Sequence, residues 1–225
     1  LDQQFKVSPV PHGTSSVNQV YTSVLATGGQ VHLNAQTEIL QGGIGQIRIP
    51  QSTDIGGPYA YAQVNLQEKT NRIRVEVELD ESVEDDIDNF EVLIHSANGI
   101  YHVDGTMPLG QEKLFYQSDR TTDNKMLTQL YTFLDLKSGN QNEIIIRHKL
   151  TEEVIYKADL MGSILLKNDN INLACTHDFD LKFTLRENYK PTLEDGKYRY
   201  ELQFDAPEIL FKDIDFYYMN QNLKE

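Results

Sequence analysis

The sequence predicts an all-β fold, antiparallel β-sandwiches in tandem with one short helix near residues 157–166. Two observations carry that prediction. Arg72-Ile73-Arg74-Val75-Glu76-Val77-Glu78-Leu79 alternates charged and apolar residues without a fault. Successive strand side chains point to opposite faces, so Ile73, Val75, Val77 and Leu79 share one face while the charges share the other. Such a ribbon has one wet and one dry face, as antiparallel sheets do. The alternation returns in Phe179, Leu181, Phe183 and Leu185, and again in Tyr198, Tyr200, Leu202 and Phe204.

The elements follow in order. Residues 1–20, with Pro9, Pro11, Gly13, Ser15 and Ser16, read as an extended arm. Val31, Leu33, Ala35, Thr37 and Ile39 alternate with polar residues and predict a strand. Gly42-Gly43 gives a turn, residues 44–49 a strand stopped by Pro50, and residues 59–66 another after Gly56-Gly57-Pro58. The 72–79 strand follows. Nine acids and no Lys or Arg then lie between Glu76 and Glu91. This stretch reads as a solvated linker, which divides the chain into an N-terminal β-domain (1–80) and a C-terminal sandwich (81–225). Phe90, Val92 and Ile94 open a strand, and Asn98-Gly99 predicts a hairpin into residues 100–103, because both residue types tolerate positive φ. Residues 126–136 and 143–149 read as strands separated by Gly139-Asn140. Between Tyr156 and Leu166, the residues Leu160, Met161, Ile164 and Leu165 fit helical spacing, and Asp159 suits a helix N-terminus.

Composition removes several functions. A formal net charge of −14 over 225 residues argues against nucleic acid, whose phosphates demand a basic face, and against unaided docking on an anionic membrane. One cysteine, Cys175, leaves no intramolecular disulfide. The chain begins at Leu1; a removed export signal would leave such a start, and so would an arbitrary boundary.

Residues that could carry chemistry are few. Gly42-Gly43-Ile44-Gly45 lacks the Lys-Ser/Thr of a phosphate loop. The acidic stretch has no D-x-D-x-D-G pattern for calcium. His12, His32, His95, His102, His148 and His177 are scattered without an i,i+4 pair, so no metal or other cofactor is expected. Cys175 has acidic neighbours that disfavour a thiolate, and it reads as a small packing residue. No serine sits in a G-x-S-x-G elbow, and no carboxylate pair stands out as a glycosidase dyad. Tyr59, Tyr61 and Tyr217 could stack on sugar rings, although sheet-face tyrosines more often pack.

The order of several segments resembles the fimbrillin superfamily of Bacteroidia-type surface pili, in particular its minor anchor or accessory subunits. These segments are residues 62–75, Phe90-Glu91-Val92-Leu93-Ile94 with Asn98-Gly99-Ile100-Tyr101, residues 127–136, Asp159-Leu160, and Asp178-Phe179-Asp180-Leu181-Lys182-Phe183. The resemblance implies tandem sandwiches of Greek-key or transthyretin-like type. It also implies a cell-surface, fimbrial location, with the outer membrane reached through an upstream lipid anchor. Expected partners are other fimbrial subunits, joined by β-strand exchange, and a host or bacterial surface protein or glycan. Candidate assembly strands are the N-terminal arm (Phe5, Val7, Val10) and the terminal strand (Ile209, Phe211, Ile214, Phe216), each equally readable as an intramolecular edge. The chain departs from the family pattern in a short first domain, and it has no arginine before Arg48 at which a maturation cut would fall.

Three function classes follow. A non-catalytic pilus subunit needs an exchangeable strand. A surface carbohydrate-binding lipoprotein needs an aromatic platform. A hydrolase on a β-scaffold needs a converging acid/base pair.

Overall fold

A computed structural model describes residues 4–9, 19–43, 60–188 and 199–204. Its early strands are β1 (Phe5–Val7), β2 (Tyr21–Val24), β3 (Gln30–Val31), β4 (Leu40–Gln41), β5 (Gln67–Glu68) and β6 (Thr70–Leu79). Then come β7 (Phe90–Ser96), β8 (Ile100–His102), β9 (Leu114–Tyr116), β10 (Ser118–Asp123) and β11 (Met126–Leu134). The last are β12 (Glu143–His148), β13 (Val154–Asp159), helix α1 (Leu160–Lys167), β14 (Asp178–Asn188) and β15 (Arg199–Phe204).

Two five-stranded sheets face each other, ordered β10-β11-β6-β14-β15 and β13-β12-β7-β9-β3. Their facing sides are built by the period-2 residues. Ile73, Val75 and Val77 of β6 and Phe183 and Leu185 of β14 are fully buried against Phe90 and Ile94 of β7 and Ile144 and Ile146 of β12. Each such side chain contributes about 1.5–3 kcal/mol relative to exposure. Aromatic contacts bridge the layers, Tyr116 on Phe133 at 5.7 Å and Tyr156 on Phe183 at 5.2 Å between ring centroids. Tyr131 Oη donates across the sandwich to the Val92 carbonyl at 2.6 Å.

Several expectations are corrected. The sandwich is not wholly antiparallel: β14 pairs parallel with β6, and β3 with β9. A boundary after residue 80 would cut the first sheet, because β6 lies between β11 and β14. The acidic stretch is a crossover between layers, pinned by buried Val83 and Ile87 and by Asp85, whose carboxylate lies 2.9 Å from His148 Nε2. Asn98-Gly99 makes no hairpin: β7 pairs with β12 and β9, while β8 pairs with β2 in another sheet. The 31–39 pattern is interrupted by a turn closed by Thr37 N–H donating to the Asn34 carbonyl, leaving only the two-residue β3 and β4. Residues 60–66 join no strand. The helix starts at Leu160 rather than 157, because residues 154–159 pair with β12 before Asp159 caps the helix by accepting from Gly162 N–H at 2.7 Å. Cys175 is exposed, not packed.

Candidate functional site: an open strand edge beside an apolar groove

The N-terminal strands lie against one end of the sandwich as a three-stranded sheet, β1-β2-β8, and a two-stranded one, β4-β5. The two edges of the three-stranded sheet differ. On β8, the outward backbone groups are satisfied. Gln111 pairs with Ile100 like a strand, its Oε1 accepting from the Ile100 N–H at 2.7 Å and its Nε2 donating to the carbonyl at 3.2 Å. His102 is held the same way, donating to the Thr106 carbonyl at 2.9 Å and accepting from Gln41 Nε2 at 2.7 Å.

On β1, hydrogen bonds from Leu25 N–H to the Gln4 carbonyl and from Ser8 N–H to the Tyr21 carbonyl fix the phase of the ladder. Even-numbered residues bond to β2, so the N–H and C=O groups of Phe5 and Val7 point away from it. Among the described residues no strand pairs with β1 on that side. Such an edge is a template for an added strand. Phe5 lines an adjacent groove of about 300 Å³, walled by Val24, Ile39, Leu40, Leu66 and Tyr101 and floored by Leu134. Val7 is 64% exposed and Leu66 59%. A strand laid along β1 would drop alternate apolar side chains toward this groove.

Of the assembly residues expected from sequence, Phe5 and Val7 therefore share this edge. Val10, Ile209, Phe211, Ile214 and Phe216 lie outside the described residues, as do Tyr59 and Tyr217. Tyr61 is 94% exposed, in a segment outside any strand. Sequence reasoning missed Gln111, whose role as a surrogate strand has no local signature.

A second polar cluster occupies the outer face of the other sheet. Glu143 receives Lys113 Nζ at 2.6 Å and Lys157 Nζ at 3.3 Å. These lysines hold its carboxyl below the usual range against an opposing effect of burial. His95, 8% exposed and 4.3 Å from the Phe115 ring, has an Nε2 without a hydrogen-bond partner. Burial first, and then Lys113, push its imidazole below its ordinary value. His95 Nδ1 stands 3.8 Å from Glu143 Oε2, and neither residue lines the apolar groove beside β1.

Comparison with known proteins decides the affiliation. The family model for fimbrillin-A associated anchor proteins Mfa1 and Mfa2 matches residues 14–199. The chain belongs to that family. The minor fimbrium anchoring subunit Mfa2 of Porphyromonas gingivalis is 27% identical over 184 residues, 81% of this chain. The match spans 56% of that protein, so this chain covers about half the length of its curated relative. The solved fimbrial anchor protein Mfa2 from Porphyromonas gingivalis superposes with a TM-score of 0.76 at 25% identity, over 92% of this chain and 72% of that one. A Bacteroides ovatus protein proposed to be an adhesin shares the fold, with a TM-score of 0.65 at 23% identity over 84% of this chain and 66% of that one.

Proposed function

We propose that the chain is a non-catalytic fimbrial anchor or accessory subunit at the cell surface, tied to the outer membrane through a lipid anchor upstream. The observation that carries this reading is the anchor-family match over residues 14–199. The fold supports it chemically: Arg72, Arg74, Lys182 and Arg186 on the outer face of the first sheet are paired with acids, and exposed Val7, Leu40 and Leu66 stand beside a strand edge that no described strand pairs. Its partners are other fimbrial subunits, received along β1 by strand addition, with Phe5 and Val7 as the contacting residues. Contact with a surface protein or glycan through Tyr61 belongs to the same reading at lower rank.

The test is made in cells. Deleting the chain is expected to release fimbriae into the medium or shorten their attachment to the cell body, seen by electron microscopy and by fractionation. Unchanged retention would end the anchor reading. The edge is tested separately with Val7→Asp, which places a charge at an exposed position and leaves the core alone. It should weaken capture of fimbrial subunits at least tenfold, a loss of about 1.4 kcal/mol. Capture equal to that of the unaltered chain moves the contact elsewhere.

A further inference from the structure

We propose that the β6–β14 pair is a shear clamp that resists tension applied between the two ends of the chain. The chain enters β6, the first strand of its sheet, at Thr70 and leaves β14 at Asn188. Because the two strands run parallel, with Asp178 opposite Arg72 and Leu185 opposite Leu79, these points lie at opposite ends of the pair. Tension on the two ends therefore slides β14 along β6 and loads the registered pairs from 72/178 to 79/185 together. Strands pulled from the same end would unzip one pair at a time.

Among the described residues, the other ladders in the line of force are shorter or peel. The β1–β2 ladder has three pairs, and β3–β9 and β4–β5 have two each. β15 runs antiparallel to β14 and ends with Phe204 opposite Phe183, so it strips back residue by residue. β6 itself is held from its other side by the nine pairs of β11.

Both faces of the clamp oppose sliding. On the dry face, Ile73, Val75, Val77, Leu181, Phe183 and Leu185 are interlocked at no more than 1% exposure. On the wet face four ion pairs cross the seam: Arg72–Asp178 at 2.6 Å, Arg74–Asp180 at 2.7 Å, Glu78–Lys182 at 3.0 Å and Asp80–Arg186 at 3.3 Å. A one-residue slide turns every side chain to the wrong face. A two-residue slide in the pulling direction keeps the faces and sets Asp178 at Arg74 and Lys182 at Glu78, but it loses the Arg72 and Asp80 pairs and sets Asp180 against Glu76.

Single-molecule force spectroscopy on the full chain tests this. Handles at the two termini are compared with handles at the C-terminus and at Glu81→Cys in a Cys175→Ser background, which attach at one end of the pair. Terminal pulling should give a dominant rupture at a higher force than the other geometry, because the pairs break together and not one at a time. A length gain of about 400 Å should follow as residues 70–188 extend. Asp178→Asn with Asp180→Asn should lower the terminal-pull force and leave the other geometry unchanged. Equal forces in the two geometries, or a terminal force indifferent to the asparagine pair, overturns the clamp. Neither result touches the anchor reading, which is decided by retention of fimbriae on cells.

Discussion

Asn98 shows how one side chain redirects a strand. It is fully buried, accepts from Tyr116 Oη at 2.6 Å and donates to the Leu134 carbonyl at 3.1 Å. Those bonds tie it to both layers of the sandwich, so the Asn-Gly pair marks a change of sheet and not a tight turn. A Cβ at Gly99 would stand 2.6 Å from Leu114 Cδ1, so that side chain would have to turn aside to admit one. Asn98→Ala strands both partners and should cost about 1–3 kcal/mol for each, read from urea denaturation. His95 makes a second prediction at this scale. Its folded-state pKa is depressed, with Lys113, Glu143, Lys157 and Arg147 as the surrounding charges. The unfolded chain therefore binds a proton more readily, and the stability it supplies is present above the unfolded value of about 6.5 and lost as pH falls below it. The urea midpoint of the native chain should drop between pH 7.5 and 5, and His95→Gln should flatten that drop. An identical pH slope in both proteins would remove His95 from the explanation.

At the scale of elements, β6, β11, β12 and β14 were legible because a half-buried ribbon has to alternate, and helix α1 because Asp159 and the Leu160–Ile164 spacing are local signals. Strand direction was not legible. Leu181, Phe183 and Leu185 alternate in the same way whether their neighbour runs parallel or antiparallel, and the choice is made by the long connection from β13 through α1. The 31–39 alternation misled because a turn at Asn34 interrupts pairing while still burying Val31 and Leu33. The open edge of β1 could not be read from Phe5 and Val7 alone, since it depends on which residues bond to β2 and on Gln111 closing the opposite edge. Two predictions belong here. Phe183→Ala empties a site shared by both layers and should cost about 3–5 kcal/mol. Gln111→Ala leaves the outward groups of Ile100 without their side-chain partner and should cost about 1–2 kcal/mol, while adding faster amide exchange at Ile100.

For the whole molecule, a fixed sandwich carries short N-terminal strands on its end, and the division of labour follows from that. Long ladders with a continuous core hold the shape. Among the described residues, the short ladders leave the outward side of β1 unpaired beside an apolar groove. The central claim is that this edge receives a strand from a fimbrial subunit. Hydrogen–deuterium exchange on the chain before and after a fimbrial subunit is added tests it most directly. The outward amides of Phe5 and Val7 should gain protection on binding while those of β6, already paired, stay as they were. Binding that leaves Phe5 and Val7 exchanging at their free rate would contradict it.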